Sequence, residues 1–189
     1  MVDISSVKSV VKISSQITTI VYQSNPKRDQ LVVKKLNTQF VDAIAKDEVM
    51  SDMLCITVQK EFIHDVLLYL YQDKDLQYNF LTTLCGMHYP EKNQLGVVYH
   101  LHSFVNNHRL RIKTATDIDQ PVIATVTTIW PAANWMERET YDFFGITFEG
   151  HPNMKRILNV DEMTDFPLRK EFPLEDQTRD DKDDSMFGR

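Results

Sequence analysis

Cysteine, glycine and long apolar runs are all scarce in this chain, and each scarcity closes off a class of function. Cys55 and Cys85 are the two cysteines among 189 residues. One iron–sulfur cluster normally takes about four thiolate ligands, so this chain alone cannot hold one, and cysteine spacing offers no zinc site either. In an acidic sequence without a secretion signal, both are expected to be reduced and to pack as buried small hydrophobes. The five glycines form no Gly-x-Gly-x-x-Gly loop, which excludes a dinucleotide cradle of that kind. No apolar stretch approaches the roughly 18 residues needed to cross a bilayer, so a soluble chain whose membrane contact runs through partners is expected. Basic charge is not in excess: the net charge is -6. Nucleic-acid binders usually carry a basic face, so nucleic acid is not expected as a partner. Lys8 and Lys12 among serines resemble an organellar transit segment. Asp3 and the lack of arginine before Arg28 speak against it, and an ordinary N-terminal strand or helix is expected.

What is present is enough for one domain and a tail: 42% hydrophobic and 25% charged residues. Val32, Leu36, Phe40 and Ile44 keep a four-residue rhythm, widened by Val33 and Val41, which predicts an amphipathic helix from Arg28 to Lys46. The alternating stretch Leu54 to Lys60, β-branched at Ile56 and Val58, predicts a strand. A second helix is expected from Glu61, with Phe62, Val66, Leu67 and Leu70 on one side, stopping near Asp73. Phe80 to Leu84 reads as a short strand ending at Gly86 and Pro90. Leu95–Phe104 and Leu110–Thr116 form a hairpin signal around Asn106-Asn107-His108-Arg109, where asparagine tolerates positive φ. Val122 to Trp130 is a further β-branched run closed by Pro131.

This order predicts an α+β fold, a mostly antiparallel sheet of about four strands with helices on one face. The domain spans 1–158. Residues 159–189 form an extended C-terminal tail, partner-binding or disordered. Within it Pro167 and Pro173 favour extended backbone, and the acidic run Glu175 to Asp184 lacks apolar residues for a core.

One segment is denser in aromatics and charge than the rest. In Trp130-Pro-Ala-Ala-Asn-Trp-Met-Glu-Arg-Glu-Thr-Tyr-Asp-Phe-Phe-Gly145, Asn134 is placed to cap a helix of about ten residues, with Glu137 closing a capping box. Gly145 stands where that helix would end in left-handed geometry. Trp135, Tyr141 and Phe144 supply aromatic surface; Glu137, Arg138, Glu139 and Asp142 supply charge. Arg138 and Asp142, four apart, are expected to pair, and partly buried ion pairs need several partners to offset desolvation.

The continuation Ile146-Thr-Phe-Glu-Gly-His-Pro-Asn-Met-Lys-Arg-Ile-Leu158 makes the pattern specific. Glu137, Arg138, Glu139, Tyr141, Asp142, Phe144, Gly145, Ile146, Phe148, Gly150, His151, Pro152, Arg156, Ile157 and Leu158 together resemble the signature of the 30-kDa subunit family (the C subunit) of respiratory NADH:quinone oxidoreductase, complex I, in its short bacterial form. Val98-Tyr-His-Leu-His-Ser103, Trp130 to Trp135 and Pro167-Leu-Arg-Lys-Glu-Phe-Pro173 are similar to further family segments, so the resemblance runs from Leu54 to Leu174. Two places depart from it. His88 precedes Tyr89-Pro90 where the family has an acidic residue, and Asp165-Phe166 replaces Gly-His.

The resemblance implies a non-catalytic scaffold of the peripheral arm, without flavin, cluster or metal of its own. FMN and iron–sulfur clusters would sit in partner subunits, and quinone would be the substrate of the whole complex. It implies as partners the 49-kDa-type subunit that helps form the quinone site, the subunit carrying the terminal cluster and the two-cluster ferredoxin-like subunit. It also implies a peripheral place on the cytoplasmic face of the bacterial inner membrane, or the matrix side if mitochondrial. The alternatives are the equivalent subunit of a membrane-bound hydrogenase or other quinone-linked dehydrogenase, and a self-sufficient oxidoreductase, which the missing cofactor motifs oppose.

Individual residues admit plainer roles. His100 and His102, two apart on a strand, point to one face as a metal pair would, but no third ligand is identifiable and satisfied or solvent-facing histidines are expected. Glu137, Glu139 and Asp142 read as a structural network that fixes the following loop, in preference to acid–base chemistry. His151 reads as a turn residue bonded to backbone. Arg169 and Lys170, between two prolines, read as a docking segment.

Overall fold

The structure is a computed structural model that describes residues 25–51 and 53–173. Helix α1 (Pro26–Gln39) leads into strands β1 (Ile44–Met50) and β2 (Met53–Val58), then helix α2 (Ile63–Gln72). Strands β3 (Phe80–Tyr89), β4 (Gln94–Ser103), β5 (His108–Asp117) and β6 (Val122–Ala124) follow, then helix α3 (Ala133–Phe144) and strand β7 (Thr147–Glu149). The main sheet has five strands in the order β1-β2-β5-β4-β3, and β6 and β7 make a second sheet of two. Within the main sheet β2 and β5 run parallel, while every other neighbouring pair is antiparallel. The expected α+β class, the mostly antiparallel sheet and the helices on one face are thus what the chain forms.

Helix α1 stops seven residues before Lys46, the expected end. The side chain of Asn25 caps its start by accepting the Arg28 N–H. At its far end the Phe40 N–H makes a last bond to Leu36 O at 2.8 Å, and the Phe40 ring meets Tyr69 edge-on at 5.7 Å. Ala43 O then accepts the Gln59 N–H at 2.9 Å, which sets Ile44–Met50 alongside β2 as an antiparallel partner. Ile44 satisfies both a helical and an alternating period, and the ladder of sheet hydrogen bonds decides in favour of the strand.

Strand β3 runs past Gly86, where a boundary was expected. An added Cβ at Gly86 would sit 2.4 Å from the Phe144 ring. The missing side chain is what lets the end of α3 lie on the sheet. The β4–β5 hairpin is paired throughout, from Gln94 opposite Asp117 to Ser103 opposite His108, and Asn107 in its turn has φ of 45°. The run Val122–Trp130 forms a strand only over its first three residues; the rest turns back on itself, with Ile129 and Trp130 N–H both bonded to Val126 O.

A single core fills the space between sheet and helices. Val32 and Leu36 of α1, and Ile63, Val66, Leu67 and Leu70 of α2, pack with Leu54, Ile56, Val97, Tyr99, Leu101 and Ile112 of the sheet. Cys55 is buried as expected, but Cys85 is exposed: it alternates with Leu84, whose side chain faces the core. The expected strand or helix before residue 25 and the acidic run from Glu175 lie outside the described residues. The prolines of residues 166–173 do not extend that stretch. It folds in turns, with Arg169 N–H on Phe166 O and Phe172 N–H on Arg169 O, both at 3.1 Å. Proline at the second position of a turn suits its fixed φ.

Candidate functional site

The residues of the signature segment gather around α3, but several take partners other than those expected. The helix begins at Ala133, one residue before Asn134, and no side chain caps it. Its first turn is ordered by backbone alone, Ala133 N–H to Trp130 O at 3.0 Å and Asn134 N–H to Pro131 O at 3.2 Å. Glu137 closes no capping box, because its side chain points inward. One carboxyl oxygen accepts Val126 N–H at 2.7 Å and the other accepts the Thr125 hydroxyl at 2.6 Å. These bonds hold the turn after β6 and explain why the β-branched run stops being a strand. Burial pushes the Glu137 carboxyl up to about 7, and its two donors only partly oppose the rise.

Arg138 and Asp142 do not pair. Asp142 is fully buried, and its ion partner is Arg156, at 2.7 Å. Its other oxygen accepts three successive backbone N–H groups, from Ile157 at 3.0 Å, Leu158 at 2.8 Å and Asn159 at 2.9 Å. Burial alone would raise this carboxyl, but the N–H donors and the guanidinium outweigh it and hold the group well below the usual carboxylate range. Arg138 instead donates to Lys155 O and Arg156 O, each at 3.0 Å, and its guanidinium lies over the Trp135 ring. Arg156 continues the network, donating to Met163 O at 2.5 Å and Asp165 O at 3.2 Å, with its guanidinium over the Phe166 ring.

Gly145 has φ of 76°, the left-handed end that its place in the sequence predicts. An added Cβ there would meet the Phe166 ring at 2.6 Å and the Arg169 guanidinium at 2.8 Å. Arg169 donates to Phe144 O at 2.7 Å and Leu168 N–H to Phe143 O at 3.2 Å, so the segment bounded by Pro167 and Pro173 straps the end of α3. Lys170 is exposed, but its backbone N–H bonds His88 Nδ1 at 3.0 Å. Asp165, the other departure from the family pattern, contributes its carbonyl to Arg156; Phe166 contributes its ring.

His151 accepts the Asn153 N–H at 3.0 Å and faces Asn134 O at 3.2 Å, a turn residue tied to backbone, between left-handed Gly150 and exposed Pro152. Glu139 is exposed and stands apart from the buried pair Glu137 and Asp142; Tyr141 is half-buried. His100 accepts from Arg111 Nε at 2.9 Å, and the His102 ring lies 4.7 Å from the Phe104 ring. Among the described residues no group of three or more His, Cys, Asp or Glu is arranged to hold a metal ion.

One buried chain was not foreseen. His108 Nε2 meets Asp29 Oδ1 at 2.9 Å while its Nδ1 meets the Tyr78 hydroxyl at 2.6 Å. Burial pushes the imidazole down, against the pull of Asp29. A neutral ring donating to Asp29 and accepting from Tyr78 satisfies all three groups and ties α1 to the sheet. The only local sign was an acid in the first turn of a helix.

The site exposes large apolar side chains among charged ones, Glu139, Lys155, Asp161, Glu162 and Asp165. Leu158, Val160 and Leu168 are 66%, 67% and 51% exposed, and Trp135 is 59% exposed. The arrangement is a loop fixed from beneath by buried polar groups, with Leu158, Val160 and Leu168 outward.

Comparison with known proteins agrees with the signature. The family described as respiratory-chain NADH dehydrogenase, 30 kDa subunit, matches residues 56–178. The C subunit of NADH-quinone oxidoreductase from Roseiflexus sp. (strain RS-1) is 41% identical over 144 residues, 76% of this chain and 83% of its own. The C subunit from Citrifermentans bemidjiense is 40% identical over 149 residues, 78% of this chain and 91% of its own. Among solved structures, the trypsin-resistant fragment 1–134 of Nqo5 is similar with a TM-score of 0.56 at 27% identity, over 66% of this chain and 97% of the fragment. A chain of the membrane-bound sulfane sulfur reductase, an archaeal respiratory membrane complex, gives a TM-score of 0.66 at 26% identity, over 78% of this chain and 86% of that one. With its signature helix, clamped loop and fold in place, the chain belongs to the 30-kDa subunit family of respiratory-chain NADH dehydrogenase, the family that includes the C subunits of NADH-quinone oxidoreductases.

Proposed function

We propose that this chain is a non-catalytic structural subunit of the peripheral arm of a proton-translocating NADH:quinone oxidoreductase, holding the quinone-site and iron–sulfur subunits together. The observation that carries the proposal is the clamped loop. Arg138, Asp142, Arg156 and Arg169 are committed to fixing residues 155–169, and that segment presents Leu158, Val160 and Leu168 outward among exposed Lys155, Asp161, Glu162 and Asp165. Exposed apolar side chains with charged neighbours on a fixed loop match the composition of a protein interface.

In this reading the chain carries no cofactor. FMN and the clusters reside in partners, quinone is the substrate of the complex, and the isolated chain is inactive. The partners are the 49-kDa-type subunit, the terminal-cluster subunit and the ferredoxin-like subunit. No described helix is long and apolar enough to cross a membrane. The proposed attachment to the cytoplasmic face of the inner membrane, or the matrix side if mitochondrial, therefore runs through those subunits. A second reading, the equivalent subunit of another membrane-bound respiratory enzyme, is favoured by the similarity to the sulfane sulfur reductase chain.

A pull-down of the tagged chain from native membranes in mild detergent, with mass spectrometry and an NADH-dehydrogenase assay, tests both. Recovery with flavin, cluster and quinone-site subunits and NADH oxidation is expected. Recovery with a different input module would move the chain to the second reading, and recovery alone would sink the scaffold role.

A further inference from the structure

Helices α1 and α2 cover one face of the main sheet, and the opposite face carries its own pattern. Arg109, Arg111 and Lys113 alternate along β5 with buried Leu110 and Ile112, so the three cations project together from the face opposite those helices. Their spacing along the strand is about 7 Å. By register Arg109 lies opposite His102, and His102 opposite Phe80. Phe104 packs on both, 4.7 Å from the His102 ring and 5.0 Å from the Phe80 ring. Phe80 and Phe104 are 44% and 61% exposed.

Arg111 and Lys113 have weak partners inside the chain. Arg111 donates to His100, a neutral acceptor whose imidazole is pushed down by burial and then by the three cations themselves. Lys113 meets the Met50 thioether at 3.6 Å. Glu48, across β2 on the same side, bonds Lys46 at 2.5 Å and is also drawn by the charge of Lys113. A row of cations beside an exposed aromatic cluster combines the residue types that anchor protein interfaces, arginine and aromatics.

We infer that this open sheet face docks a second subunit through a surface bearing carboxylates spaced to meet Arg109, Arg111 and Lys113 around the Phe80–Phe104 cluster. The inference rests on the proposed subunit role and adds to it a second interface, on the face of the sheet opposite α1 and α2. A carboxylate-bearing protein fits better than a nucleic acid or an anionic membrane. The chain as a whole carries a net charge of -6, which repels an extended polyanion at long range, whereas a local row of three cations matches a few carboxylates.

The test is zero-length amine-to-carboxylate cross-linking of the complex purified in mild detergent, read by mass spectrometry. Lys113 is expected to join an Asp or Glu of another subunit. The double variant Arg109→Glu/Arg111→Glu is expected to lose that link and about tenfold of its incorporation into the complex. A melting curve of the purified variant shows whether its fold is kept, and the wild-type cross-link stands independently of it. Lys113 linked only to Glu48, only to the chain's own residues 175–184, or to a second copy overturns the inference, as does unchanged incorporation of the double variant. So does binding of DNA or anionic vesicles by the purified chain that the double variant abolishes. In these cases the subunit role survives if the wild-type chain co-purifies with respiratory subunits; failure to co-purify overturns both.

Discussion

Arg138 and Asp142 sit one helical turn apart and never touch one another's charge; they divide a single loop between them. Arg138 takes the carbonyls of Lys155 and Arg156, and Asp142 takes the N–H groups of the next three residues, Ile157, Leu158 and Asn159. The loop is thereby held at both polarities of its backbone. An (i, i+4) pair on an exposed helix contributes only about 0.2–0.5 kcal/mol, so splitting the two charges over two backbone carbonyls and three N–H groups yields far more order than joining them.

Asp142→Ala is therefore expected to be among the most damaging single substitutions. It leaves Arg156 without its ionic partner and three N–H groups without their acceptor in a buried site. Breaking a buried pair from one side costs about 3–5 kcal/mol. Urea unfolding of the purified chain measures this directly. A loss below about 1 kcal/mol would show that the loop keeps its shape without the carboxylate.

The two buried carboxylates of α3 should give opposite pH dependences. Glu137 is raised by burial from 4.5 to about 7 in the folded chain, so the native state holds a proton that the unfolded chain has released. Its contribution is fully present below the ordinary carboxyl range and is lost as pH rises through about 7, a change of about 3 kcal/mol at about 1.4 kcal/mol per unit. Asp142 is lowered, so its contribution is present above the ordinary range and disappears only in strong acid. Unfolding midpoints between about pH 5 and pH 8 should decline for the wild type and flatten for Glu137→Gln. Parallel curves for the two proteins would assign the slope to other groups.

Gly145→Ala should cost more than Gly150→Ala, although both glycines have positive φ, 76° and 82°. At Gly150 the added carbon meets only the Thr125 methyl at 3.3 Å, and the penalty is the backbone term of about 1 kcal/mol. At Gly145 it meets the Phe166 ring at 2.6 Å as well, so the strap over α3 must move. Limited proteolysis near residues 166–172 should accelerate for Gly145→Ala alone. Equal cleavage of the two variants would mean the strap does not depend on that close approach.

What the sequence disclosed and what it hid divide along the range of the interaction. Gly145 and Asn107 of the β4–β5 turn act through their own backbone, and both positions were readable in advance, whereas Asn106 acts through its side chain, which donates to Asp75 O and Leu76 O. The stripe Val66, Leu67 and Leu70 is local in the same sense and is buried on α2 as it predicts, although the helix starts at Ile63, after a 3-10 turn over Lys60–Phe62 that leaves Phe62 exposed. Glu137 failed as a capping residue because the same residue type in the same place also serves a contact 11 positions away, and no local pattern separates the two. Asp29 and His108 are 79 positions apart, and Tyr78 is 30 from His108, so only the closed sheet shows that they meet. Ile44 fits two periods at once, and the neighbour that decides between them is β2. The network around Asp142 was expected as a network; its members were misassigned because a loop without apolar rhythm gives no sign of which N–H groups it will turn inward.

Assembly, not substrate affinity, should respond to changes at Arg138. Arg138→Ala removes the donors to Lys155 O and Arg156 O but leaves Asp142 and its partners in place. It should lower the amount of complex recovered from membranes while the complex that does form keeps its KM for quinone, if the loop it steadies is the interface proposed above and not a substrate pocket. Leu158→Ser, at a side chain 66% exposed, should act the same way with the stability of the isolated chain changed by no more than about 0.5 kcal/mol. Blue-native electrophoresis gives the first quantity and quinone titration of the recovered enzyme gives the second. Normal assembly with a shifted KM in either variant would place the loop at the substrate path and would remove the ground for a purely structural role.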